Sequence, residues 1–262
     1  MELYKSMKLK RFSWNCAAIA VALGVLAAPR IGQAQETPSV FDAKQSEAIE
    51  TLVREYLLEN PEVLVEALRG YEQRQQAAEE QRQRAALVAE AEALNRDPDA
   101  PVMGNPDGDV TLVEFFDYRC PYCKRMSGPL VQLMEEDPNL RVVMKEFPIL
   151  SQESVQAARA ALAAMRQGQY RKFHFALMDD GSTYSDDEIM ALANTVGLDE
   201  TQLRADMQDP AIENAIRRNH ALAGNLGITG TPAFVIGDTL LPGAVSLDQL
   251  RALVARVRAE AG

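Results

Sequence analysis

The sequence predicts an α/β domain interrupted by a helical block and preceded by a separate helical segment. Two β-type runs, VTLVEFF (110–116) and LRVVMKEF (140–147), flank a stretch with helical character. A further β-type run, PAFVIG (232–237), returns near the C-terminal end, and about eighty residues with helical signals separate the two groups. The order strand-helix-strand, helical block, strand-strand-helix places the outer parts in one α/β layer, with the block as an insertion.

The first 34 residues stand apart from that layer. Lys5, Lys8, Lys10 and Arg11 precede an apolar run from Trp14 to Ala28, and Gly32-Gln33-Ala34 places small residues where a signal peptidase reads. The pattern predicts a secretory signal peptide over 1–34, export to the periplasm and Gln35 as the first mature residue. Cys16 and Trp14, the only Trp, leave with it, and Cys16 falls too early for a lipoprotein anchor. The whole chain carries a net charge of −11; without the segment 22 basic residues face 37 acidic ones, a net of −15. So acidic a surface repels nucleic acid and anionic lipid and excludes both as partners. Cys120 and Cys123 are then the only cysteines, in a compartment where disulfides form readily.

The pattern from Phe41 to about Leu94 is helical. Ile49, Leu52, Val53, Tyr56 and Leu57 line one face, Asn60 is placed to cap a second helix and Pro61 fits its first position. Val63, Leu64, Ala67, Leu68 and Tyr71 continue the apolar side for about two turns. The run EQRQQAAEEQRQRAA then lacks any large apolar residue, and Glu80 is spaced to pair with Arg84, which together read as a solvated helical spacer. Two short amphipathic helices cannot bury their apolar faces alone, and the spacer behind them favours packing against copies of the same chain. The expected division is therefore an oligomerisation segment over 35–70, a polar helical linker over 71–99 and an α/β domain over 100–262, with the insertion at about 151–226.

Within the α/β domain, residues 95–109 read as a turn-rich break. Residues 120–136 form a helix that Gly128-Pro129 should break or kink. The insertion begins with an Ala-rich helix over 152–166 and continues through YRKFHFALM. Ser185 and Glu188 make a capping box, Gly197 stops that helix, and Asp209-Pro210 opens another that ends at Gly227. A Gly237-Asp238 turn joins the late strand to TLLPGAV, and Ser246 with Gln249 caps a final helix to about Ala259.

The chemistry concentrates at CPYC, residues 120–123. A Cys-x-x-Cys opening a helix after a buried strand puts its first sulfur where free N–H groups and the helix dipole favour an anion. Cys120 is thus the expected nucleophile and Cys123, one turn in, the resolving thiol. Three alternatives stay open: a small structural disulfide, a zinc site that would need His174 and His220 from far away, and a Cu(I) site on two soft thiolates. No metal and no cofactor beyond the Cys120–Cys123 disulfide is expected, and both histidines read as ordinary surface or core residues. Glu114, six residues before Cys120, could take the proton of Cys123, with Lys145 on the neighbouring strand as its partner. Pro232 follows Gly230 and Thr231 directly before a strand, where a cis bond would set the Thr231 backbone beside CPYC.

Strand, CPYC, helical insertion and GTPAF before a hairpin resemble the DsbA-like branch of the thioredoxin superfamily over about residues 100–260. Cys123 and Pro232 are 109 residues apart, a far longer span than ordinary thioredoxins and glutaredoxins carry there. The resemblance implies a thioredoxin fold with an inserted helical domain, a cis Pro232 and a substrate-facing Thr231, with Pro121 and Tyr122 also meeting substrate. It makes Glu114 the buried acid of the family. VREYLLENPEVLVEAL is similar to the N-terminal segment of the suppressor-of-copper-sensitivity protein C (ScsC) group, whose members form trimers that act as protein disulfide isomerases. What this implies is a homotrimeric periplasmic isomerase or reductase working on unfolded or misfolded exported proteins, kept reduced by a membrane-bound electron donor. A monomeric dithiol oxidase and a periplasmic Cu(I)-binding protein are the alternatives.

Overall fold

The computed structural model describes residues 40–181 and 183–261. The expected signal peptide, with Cys16 and Trp14, and the expected first mature residue Gln35 lie outside them. The chain divides into two compact units, up to Leu64 and from Val65 onward.

In the first unit, α1 (Ala43–Glu59) begins at a capping box in which the Asp42 side chain accepts from Gln45 N–H and the Gln45 side chain accepts from Asp42 N–H. The helix buries none of its residues, and Leu52 is 66% exposed with Val53 and Tyr56 beside it. Asn60 does not cap the next helix. Its side-chain amide turns back to donate to Tyr56 O at 2.8 Å and closes α1 instead. That bond satisfies one of the carbonyls a helix end leaves unpaired.

α2 (Glu62–Ala89) runs without interruption through the polar stretch. The expected Glu80–Arg84 pair is replaced by Gln76 donating to Glu80 and by Arg82 pairing with Glu79. Near its C-terminal end, Leu87 is buried and Arg84 lies 4.0 Å from Asp238 in the Gly237-Asp238 turn. This end of α2 is therefore packed within the second unit and is no free spacer.

A five-stranded sheet ordered β1-β3-β2-β4-β5 organises the second unit. β2 (Val110–Phe116) and β3 (Leu140–Glu146) run parallel at its centre as near-continuous apolar strands, the pattern of strands covered on both faces. β4 (Ala233–Ile236) and β5 (Thr239–Pro242) form an antiparallel hairpin beside β2. Its turn uses Gly237 at φ +59°, where a Cβ would also meet the Val257 side chain at 2.9 Å. The turn-rich break expected over 95–109 holds two elements: α3 (Ala91–Asn95) reaches its start, and β1 (Val102–Gly104) pairs antiparallel with β3. α4 (Pro121–Glu136) continues through Gly128-Pro129 without a break.

Five helices separate β3 from β4: α5 (Gln152–Arg166), α6 (Tyr170–Asp179), α7 (Asp186–Thr195), α8 (Glu200–Asp206) and α9 (Pro210–Asn225). Ser185 and Glu188 form the expected box, and Ala157, Ala160, Ala161 and Ala164 of α5 are buried, which lets the neighbouring helices approach closely. α10 (Leu247–Ala261) closes the fold behind Ser246 and Gln249. The sheet separates two cores. Leu112, Phe116, Val142, Met144, Phe234 and Ile236 face α4, α10 and the insertion; Val113, Phe115, Val143 and Val235 face Leu87, Leu94 and Leu222. Among the described residues no helix is long and apolar enough to cross a membrane.

Candidate active site

The site forms where β2 hands the chain to α4. Cys120 is the N-cap of α4 and Pro121 occupies its first turn, where a missing N–H costs nothing. Both cysteines are free and buried, while Tyr122 between them is 52% exposed with the Arg125 guanidinium stacked 4.2 Å from its ring centre.

The chain returns to this point through Thr231 and Pro232, joined by a cis bond. As a thiol, Cys120 donates to the Thr231 carbonyl oxygen at 3.2 Å. As a thiolate it is held first by the Cys123 thiol, then by the Thr231 side chain and the N–H groups of Cys123 and Tyr122. These donors outweigh burial and bring its pKa down to about 5. Burial, donation to Cys120 and the nearby Glu114 push the Cys123 thiol up. The two sulfurs are thus pulled apart: one ionised and able to attack, the other protonated until its hydrogen is removed.

Glu114 lies in the buried centre of β2, and burial, with the Cys120 charge second, raises its carboxyl to about 8. A carboxyl titrating there can exchange a proton with a thiol near neutral pH. Lys145 does not partner it. The β2–β3 register sets Glu114 opposite Met144 and Phe115 opposite Lys145. Because successive strand residues point to opposite faces, Glu114 lies on the α4 face and Lys145 on the other. There Lys145, 0% exposed, pairs with Asp97 at 2.7 Å.

The sequence reading overlooked the acids on either side of the cysteines. Asp117 is buried and accepts four hydrogen bonds: Arg119 N–H and Ser154 Oγ–H on Oδ1, and the N–H groups of Ile149 and Leu150 on Oδ2. It locks the loop before Cys120 to the loop after β3. Its signal was an acid directly after the apolar pair Phe115-Phe116 at the end of a covered strand. Glu146 Oε1 accepts from the hydroxyls of Tyr118 and Tyr170, and Tyr118 also meets His174 Nδ1 at 3.0 Å. Burial pushes the Glu146 carboxyl well up and lowers His174 to about 3, so His174 is a neutral core residue. His220 is exposed at the far side of α9, its ring 4.8 Å from that of Phe147. Among the described residues no group of three His, Cys, Asp or Glu is placed to hold a metal ion.

A thioredoxin-type sheet with a reactive Cys-x-x-Cys at a helix start and a cis-proline loop against it defines a thiol–disulfide oxidoreductase. The chain belongs to the DSBA-like thioredoxin domain family, which it matches over residues 111–255. Residues 45–78 match the copper resistance protein ScsC N-terminal domain. It is 34% identical to ScsC of Proteus mirabilis in a transitional conformation, covering 84% of this chain and 98% of that one at a TM-score of 0.63. A thioredoxin-like oxidoreductase from Silicibacter pomeroyi DSS-3 is 49% identical, covering 64% and 97%, with a TM-score of 0.63. BcfH of Salmonella enterica Typhimurium is 30% identical, covering 82% and 96%, with a TM-score of 0.68. Among curated relatives, the Na(+)/H(+) antiporter NhaA 3 of Salinispora tropica is 27% identical over 175 residues, 63% of this chain, and the chain spans 27% of its length. The thiol:disulfide interchange protein DsbA of Bordetella parapertussis is 25% identical over 150 residues, 55% of this chain and 71% of that protein.

Proposed function

We propose that the chain is a periplasmic, homotrimeric protein disulfide isomerase and reductase that acts through Cys120 and Cys123 on misfolded exported proteins. The Cys120 thiolate attacks one sulfur of a substrate disulfide, forming a mixed disulfide and releasing the other substrate sulfur as a thiolate. In isomerisation that thiolate attacks elsewhere in the substrate, the last exchange expels Cys120, and no electrons are gained or lost. In reduction Cys123 gives its proton to ionised Glu114 and attacks the Cys120 sulfur. Two electrons then reside on the substrate dithiol, and the Cys120–Cys123 disulfide must be reduced by a dithiol on a membrane-bound donor. Thr231, Pro232, Pro121 and Tyr122 meet the substrate, and the chemistry needs no cofactor beyond the cysteine pair.

The observation that carries the isomerase reading over a simple oxidase is the exposed apolar face of α1, where Ile49, Leu52, Val53 and Tyr56 find no cover among the described residues. Matching faces of other copies would cover it and gather several thiolates around one substrate. The test is light scattering together with reactivation of scrambled ribonuclease, for residues 35–262 and for the same chain carrying Leu52→Lys and Tyr56→Lys. A trimer that reactivates ribonuclease, and a double variant that does neither, are the expected results; a monomeric, active parent chain would sink the reading.

A second reading, a dithiol oxidase, draws on the Cys120 pKa of about 5. A stabilised thiolate favours the reduced form and makes the disulfide more oxidising. Rapid oxidation of reduced ribonuclease without reshuffling of scrambled ribonuclease would favour it.

A further inference from the structure

A groove of about 280 Å³ is lined both by residues of the cis-proline loop and by Gln83 of α2. Ile228, Thr229, Gly230, Leu240 and Pro242 also line it, and among the described residues no charged one does. Thr231, which also lines it, links the groove to the reactive sulfur, since it is the residue whose carbonyl the Cys120 thiol meets at 3.2 Å.

Two further observations indicate that the groove is kept open for an occupant. Gln83 is half-buried, yet its side-chain amide has no hydrogen-bond partner among the described residues, whereas Gln76 in the same helix pairs with Glu80. Gly230 has no left-handed backbone angle, and a Cβ added there would meet nothing within 4 Å. Neither backbone conformation nor packing within the chain requires glycine at that position. What its bare Cα does provide is room above the loop. A primary amide supplies one donor and one acceptor group, which matches the alternating N–H and C=O of an extended peptide.

We propose that the C-terminal turns of α2 form a wall of the substrate groove, and that Gln83 hydrogen-bonds the backbone of an extended, uncharged segment of the polypeptide whose cysteine reacts with Cys120. The helix leading into the oxidoreductase domain then takes part in choosing its substrates. Buried Leu87 and the approach of Arg84 to Asp238 hold this end of α2 in place. The proposal rests on the thiol–disulfide reading above and adds a recognition residue outside the thioredoxin fold.

The test compares two disulfides with the same leaving thiol. One is a short uncharged peptide whose single cysteine is in mixed disulfide with 2-mercaptoethanol; the other is bis(2-hydroxyethyl) disulfide, too small to span from the sulfur to α2. In the full chain, Gln83→Ala should lower the peptide-to-small-disulfide ratio of rate constants about threefold to tenfold, the loss of one net hydrogen bond. Gln83→Trp and Gly230→Val, which fill the groove, should lower it by tenfold or more through KM, with the Cys120 alkylation pKa unmoved. An unchanged ratio in all three variants overturns the proposal, as does a fall in both rates accompanied by a shifted Cys120 pKa. A parent chain that reacts with neither disulfide overturns the thiol–disulfide reading itself, and this one with it.

Discussion

The Cys120 sulfur stands 3.2 Å from the Thr231 carbonyl oxygen, although 111 positions of sequence separate the two residues. The whole helical insertion is spent between them, and the sheet brings them back together because β4 pairs with β2 directly below α4. Thr231 is thus both the neighbour of the reactive sulfur and the start of the surface a substrate would meet.

That proximity sets the reactivity of Cys120. Its alkylation rate should follow a titration centred near pH 5 and stay flat at neutral pH. Thr231→Val keeps the carbonyl but removes the side-chain donor, so the midpoint should rise by about one unit, since a hydrogen bond to a charged group is worth roughly 1.5–3 kcal/mol. Iodoacetamide kinetics across pH 3–9 measure both.

Glu114 makes stability depend on pH in the opposite sense from an ordinary paired carboxylate. Its folded-state value of about 8 lies above the 4.5 of an ordinary glutamate, so between those limits the folded protein holds a proton that the unfolded chain releases. Stability from this group is complete below about pH 4.5 and is lost as pH rises through 8. Glu114→Gln should remove that slope and be the more stable form at pH 8, by an amount on the order of a few kcal/mol. Urea unfolding of the reduced proteins at pH 5 and pH 8 measures the difference.

Lys145 and Asp97 form their own buried pair on the far side of the sheet. Asp97→Ala leaves the Lys145 ammonium without its main partner and should cost about 3–5 kcal/mol. Lys145→Met should leave the Glu114 titration, followed by carboxyl NMR shifts, where it stands in the parent chain. A Glu114 midpoint moved by more than a unit would mean that the two communicate through the strand after all.

Asp117 should be intolerant even of its amide. Asn offers one accepting oxygen where four donors converge, and its NH2 would face two of them. Asp117→Asn should destabilise by about 2–3 kcal/mol in denaturant and slow Cys120 alkylation, because the loop that carries the sulfur loses its tie to Ile149 and Leu150.

What could be read from the sequence was local. VTLVEFF declares itself a covered strand, the Ala-rich 152–166 a packed helix, and Ser185-x-x-Glu188 a helix start, because each signal lies within one turn or one strand. The site was legible for a related reason: CPYC, Glu114 and Thr231-Pro232 each sit at the end or centre of such an element. The three-residue β1 exists only through its pairing with β3, so nothing in VMG announces it. Lys145 is matched to Glu114 by its place on the neighbouring strand, while the register and the two-residue period of a strand send it to Asp97. The polar helix gave no hint of packing because the contact rests on buried Leu87 and the approach of Arg84 to Asp238.

The most direct measurement is a trap of the exchange intermediate. Cys123→Ser protein, mixed with scrambled ribonuclease and quenched with acid, should accumulate a covalent adduct that peptide mass spectrometry maps to Cys120. The doubly substituted Cys120→Ser, Cys123→Ser chain should form none. An adduct absent from the first, or mapped away from Cys120, would contradict the central claim that this chain works by thiol–disulfide exchange at Cys120.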